Sequence, residues 1–127
     1  PHGMTLFSSA SKGTGFIGLE PHLALDLQED EHIFGLGESS GTFDKRGLIR
    51  EFWNIDVGGH ADSIHANLRH MYVSIPFAIS LRHGRAAGLF WDNPGRQTWD
   101  LGQTDFQRWK LKAAQRELDS GAAELCP

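Results

Sequence analysis

Two short segments place a carboxylate beside an indole: Phe52-Trp53-Asn54-Ile55-Asp56 and Phe90-Trp91-Asp92-Asn93. Such residue sets hold sugars. The apolar face of a pyranose lies against an aromatic ring, and carboxylates or amides accept its hydroxyl protons. The bland reading puts both indoles in the core and leaves the carboxylates to cap turns. Asp92 suits the bland reading, because it begins an Asp-Asn-Pro-Gly turn. Asp56 is more open. It starts a long polar stretch over residues 57–70, and binding residues concentrate on such loops.

Other chemistries find less support. Gly35-Leu36-Gly37-Glu38-Ser39-Ser40-Gly41 resembles a phosphate-cradling loop, but its third glycine falls one residue late for a dinucleotide fingerprint. No helix start follows, and the Gly-Lys-Ser/Thr of a nucleotide-binding loop is missing. A bent strand-to-loop passage explains these glycines. His60, His65 and His70 are spaced five apart, which does not place two ligands on one helix face. We therefore expect no metal site and no cofactor. No Gly-x-Ser-x-Gly elbow occurs. Cys126 stands alone, which excludes an internal disulfide framework, and nothing near it would lower its pKa.

The elements that would position these residues are short and punctuated by turns. Residues 22–27 alternate, with Leu23, Leu25 and Leu27 on one face. Residues 31–36, 47–53, 86–91 and 97–101 also read as strands. Residues 71–81 are the strongest β segment, although Pro76 inside it demands an edge, a bulge or a bend. Arg82-His83-Gly84-Arg85 reads as the turn of a hairpin. Beyond Phe106 the pattern fits strand or helix, and strand is favoured as far as Ala114. Many short strands with turns between them predict an all-β antiparallel sandwich.

The chain has 127 residues, 39% apolar and 22% charged, so it suits one small globular domain or a piece of a larger one. A complete (β/α)8 barrel needs about 250 residues, so any function requiring one lies beyond this polypeptide alone. The net charge is −4 and no basic cluster stands out, so nucleic acid is not an expected partner. No apolar run approaches the ~20 residues of a membrane helix, so no membrane partner is expected. Residues 1–4 read as a tag remnant ahead of an initiator Met. They lack the basic and apolar regions of a secretory leader, and a cytoplasmic location is expected.

Five ordered motifs then carry a resemblance: Ile33-Phe34-Gly35-Leu36-Gly37-Glu38, Phe43-Asp44-Lys45-Arg46-Gly47, Trp53-Asn54-Ile55-Asp56, Tyr72-Val73-Ser74-Ile75-Pro76-Phe77 and Gly88-Leu89-Phe90-Trp91-Asp92-Asn93. Over residues 19–114 the chain resembles the N-terminal domain of glycoside hydrolase family 31, the α-glucosidase and α-xylosidase family. The resemblance implies a galactose-mutarotase-like β-sandwich over residues 5–119, an incomplete fragment that packs against a missing catalytic barrel. Residues 120–127 depart from the family pattern and read as a frayed tail.

The implied parent reaction is retaining hydrolysis of an α-glycosidic bond by two carboxylates of the barrel. Trp53-Asn54-Ile55-Asp56 only superficially resembles the barrel's Trp-x-Asp-Met-Asn-Glu motif, so no catalytic residue is assigned. The resemblance carries over Asp56 as a substrate-binding residue, on a loop reaching over the barrel mouth, with Trp53 and Asn54 shaping that loop. Gly35, Gly37, Asp44, Arg46, Pro76, Asp92 and Asn93 match structural positions. The expected partners are an α-linked glucoside, the barrel and, through exposed apolar surface, a second copy of the chain. The alternative is a stand-alone carbohydrate-binding module without hydrolytic activity, which micromolar binding of maltose or isomaltose would favour.

Overall fold

The computed structural model describes residues 7–56 and 71–114. These residues form eight strands: β1 (Ser9–Ile17), β2 (Glu20–Asp26), β3 (His32–Gly37), β4 (Ile49–Phe52), β5 (Ser74–Arg82), β6 (Arg85–Phe90), β7 (Gln97–Leu101) and β8 (Arg108–Ala113). They build a five-stranded sheet, ordered β1-β2-β8-β7-β4, and a three-stranded sheet, ordered β3-β5-β6. Every pairing is antiparallel. Among the described residues there is no helix, and so none long and apolar enough to cross a membrane.

Strand β8 shows why the large sheet forms. Trp109, Leu111 and Ala113 are buried, while Arg108, Lys110 and Lys112 are exposed. One period-two pattern thus supplies a core face and a solvated face. In register, Trp109 pairs with Leu25 and Leu101, and Leu111 pairs with Leu23 and Trp99. Trp99 and Trp109 are wholly buried. Each indole removes ~150–250 Å² from water, on the order of 4–6 kcal/mol before chain entropy is subtracted. Ile33, Leu36 and Ala78 of the small sheet close the core from the other side.

The hairpin between β5 and β6 turns through His83 and Gly84, at φ 50° and 70°. Two positive φ values give a turn whose twist matches the strands. Pro76 sits where both ladders of β5 break off. Pairing with β3 jumps from Gly35–Ala78 to Gly37–Ser74, and pairing with β6 begins at Phe77. The bulge among the expected alternatives is therefore the one adopted, in a central strand.

Gly35, Leu36 and Gly37 all have positive φ. A Cβ on Gly35 would lie 2.8 Å from the Phe77 carbonyl, and one on Gly37 would lie 2.8 Å from that of Val73. This passage is a bend pressed against β5, as its glycines suggested.

One strand was not legible. No element was expected before residue 20, yet β1 pairs along the edge of the large sheet, with a register shift between Ser9 and Thr14. Gly13, Thr14 and Gly15 give it little apolar periodicity, and an edge strand needs little.

The outer face of the small sheet is unusual. Phe34, Phe77, Ile79 and Phe90 share it, with Phe34 opposite Ile79 and Phe77 opposite Phe90. Phe43 packs on Phe34, ring centroids 5.1 Å apart, and is itself 84% exposed. Ile75 and Phe90 are exposed as well. At the hairpin end the surface becomes charged, with Arg82 and His83 both paired to Asp30.

Candidate functional site

The site is organised by a buried cation. Arg50 of β4 is 2% exposed, and its Nη2 donates to the Glu38 carbonyl at 2.5 Å and to the Val73 carbonyl at 3.4 Å. Its guanidinium also lies over the Phe52 ring, 5.7 Å from the centroid. Burial pushes its pKa down, and the charge of Glu38 works in the opposite direction. The Glu38 N–H donates to the same Val73 carbonyl at 3.1 Å. The end of β3 and the start of β5 are thereby tied to β4.

From that anchor the chain before β5 lies alongside the chain after β4. The Ile55 N–H donates to the Met71 carbonyl at 3.1 Å, and the Tyr72 hydroxyl donates to Asp56 Oδ1 at 3.0 Å. Asp56 and Tyr72 are both exposed. Residues 55–56 and 71–72 are therefore held side by side, with the Asp56 carboxylate at this neck. His60, His65 and His70 lie outside the described residues. Among the described residues no three metal-ligating side chains gather.

Trp53 and Asn54 are exposed but point to a different place. Both line a groove of about 390 Å³, together with Ser74, Pro76, Pro94 and Gly95. Asp56 does not line it. Arg96 lies over the Trp53 ring, 5.7 Å from the centroid, and pairs with Glu51 at 2.7 Å. Trp53 stays 47% exposed, whereas Trp91 packs against the core. The bland reading thus holds for Trp91 and fails for Trp53. In the Asp-Asn-Pro-Gly turn, Asn93 Oδ1 accepts the Gly95 N–H at 2.7 Å, so the asparagine supplies the cap expected of Asp92.

The Phe43–Gly47 motif is structural. Arg46 Nη1 donates to the carbonyls of Gln28 and Glu31, and Nη2 donates to that of Phe106. Asp44 accepts from the N–H groups of Ile33 and Arg46, and lies 2.7 Å from His32 Nδ1. Burial acts to raise the Asp44 pKa, but these hydrogen bonds and the His32 ring outweigh it and hold the carboxyl below its ordinary value.

Residues 8–100 match the family profile of the glycosyl hydrolase 31 N-terminal galactose mutarotase-like domain. The chain belongs to glycoside hydrolase family 31. It is 31% identical over 101 residues to alpha-glucosidase 2 of Bacillus thermoamyloliquefaciens, covering 79% of this chain and 12% of that one. It is 32% identical over 95 residues to an alpha-xylosidase of Emericella nidulans, covering 75% of this chain and 11% of the relative. The structure superposes on a GH31 dextranase of Flavobacterium johnsoniae with a TM-score of 0.74 and 31% identity, over 85% of this chain and 13% of the dextranase. The chain thus spans about one eighth of the length of these relatives, over their N-terminal sandwich. The family match starts at residue 8, and β1 accounts for the extension beyond the expected residue 19.

Sequence reasoning passed over Tyr72, Ser74 and Arg96 as site residues. Tyr72 and Ser74 stood inside a recognised motif, which was a usable signal. Arg96 carried none, because its contact with Trp53 spans 43 positions.

Proposed function

We propose that this chain is the non-catalytic N-terminal sandwich of a family 31 α-glycosidase, and that it offers Asp56 to the sugar beside the cleaved bond. One observation supports this reading above the others. Asp56 is exposed where residues 55–56 and 71–72 lie side by side, with one oxygen oriented by Tyr72. An exposed carboxylate is an acceptor for sugar hydroxyls. The parent reaction is retaining hydrolysis of an α-glycosidic bond, carried by carboxylates outside this chain. An α-linked glucoside as ligand fits the dextranase relative, whose structures hold glucose and isomaltotriose. The apolar outer face of the small sheet then packs against the remainder of the longer polypeptide.

Two experiments test the reading. The purified chain is expected to leave a fluorogenic α-glucoside intact, and turnover abolished by Asp56→Ala would overturn the non-catalytic role. In a longer polypeptide carrying this domain, Asp56→Ala is expected to raise KM about 10- to 100-fold, the equivalent of losing one ionised acceptor. An unchanged KM would remove Asp56 from the site.

A further inference from the structure

The groove beside Trp53 is built like a ligand site in its own right. Its volume of about 390 Å³ falls within the ~300–1,000 Å³ of small-molecule sites. Apolar walls come from Trp53, Pro76 and Pro94, with polar groups at Asn54 and Ser74. Flat apolar surface with a few fixed polar atoms matches the two-sided chemistry of a pyranose.

Both walls are held from behind. Arg96 stacks on Trp53 and is itself pinned by Glu51. On the opposite wall, Gln97 is 2% exposed and its Nε2 donates to the Asn93 carbonyl at 2.6 Å, while its Oε1 accepts the Trp99 indole N–H at 3.0 Å. The turn over residues 93–95 is therefore braced against the core. A groove prepared in this way loses little freedom when it fills.

We propose that this groove binds one pyranose unit of an α-glucan, as a subsite separate from Asp56. The ring's apolar face lies on Trp53, and its hydroxyls meet the exposed Asn54 amide. The choice of an α-glucan rests on the function proposed above; the existence of a sugar subsite rests on the groove.

The test is an NMR titration of the 127-residue chain with isomaltotriose. Saturable shifts are expected at the Trp53 indole N–H and at the amides of Ser74 and Gly95. Trp53→Ala is expected to weaken binding at least about tenfold and Asn54→Ala about threefold, with amide spectra still dispersed. Glu29→Gln, exposed and outside the groove, is expected to leave binding unchanged. Should Trp53→Ala lose its dispersed spectrum, Asn54→Ala decides alone. Shifts confined to Asp56 and Tyr72 would overturn the groove while supporting the Asp56 reading. Absence of any saturable shift would overturn the groove and leave Asp56 to its KM test in the longer polypeptide.

Discussion

Tyr72 donates its hydroxyl to Asp56 at 3.0 Å, across the neck formed by residues 55–56 and 71–72. The bond fixes a carboxylate whose own backbone belongs to no strand. It is exposed, so it orients Asp56 more than it stabilises the fold. Tyr72→Phe is expected to shift urea-denaturation stability by less than about 1 kcal/mol. Hydrogen exchange at the Ile55 amide, which donates to Met71, is expected to accelerate. Unaltered exchange there would mean that the neck is held without Tyr72.

Glycines with similar φ are predicted to differ in what they tolerate. Gly35 at φ 101° and Gly47 at φ 80° both occupy the left-handed region. A Cβ on Gly47 meets nothing within 4 Å, whereas one on Gly35 meets the Phe77 carbonyl. Gly47→Ala is expected to cost about 1–2 kcal/mol, from backbone conformation alone. Gly35→Ala is expected to cost about 2–4 kcal/mol, because the carbonyl of a central strand must also shift. Equal costs in urea denaturation would refute the steric account.

Asp44 makes the fold sensitive to acid. Its folded pKa lies below the ordinary value of 3.8, so its contribution is complete above that pH. The contribution is lost as pH falls from there through the lower folded value. Urea midpoints measured from pH 5 downward are expected to fall more steeply in the parent chain than in Asp44→Asn. The variant forgoes the ionised acceptor of the Ile33 and Arg46 amides at every pH. Parallel profiles would assign the acid sensitivity elsewhere.

The apolar outer face of the small sheet predicts behaviour in isolation. Ile75 and Phe90 expose about half or more of their surface and flank Phe77 and Ile79. Contiguous apolar surface of this kind drives association. Light scattering is expected to show self-association of the isolated chain. Phe77→Asp combined with Ile79→Lys is expected to reduce the mass toward 14.1 kDa. A chain that is monomeric at high concentration before mutation would contradict this.

Much of the sandwich was readable residue by residue. Leu23, Leu25 and Leu27 announced the core face of β2, and Trp109, Leu111 and Ala113 that of β8, because alternation along a strand is a local property. The turn at His83-Gly84 and the bend at Gly35-Leu36-Gly37 were legible for the same reason: each needs backbone angles that particular residues permit. The candidate site was only half legible. Trp53 and Trp91 stand in nearly identical local strings, yet one lines a groove and the other packs on the core.

By itself, the sequence determined an all-β chain, the faces of its strands, its turns and, through five ordered motifs, its family. Tertiary structure alone decided that β8 lies between β2 and β7, that Arg96 braces Trp53, and that Tyr72 meets Asp56. Periodicity and turn chemistry act between neighbours in the chain, where spacing is covalently set. Sheet order and side-chain partnership across tens of residues are settled by which distant surfaces bury together, and no local string encodes that.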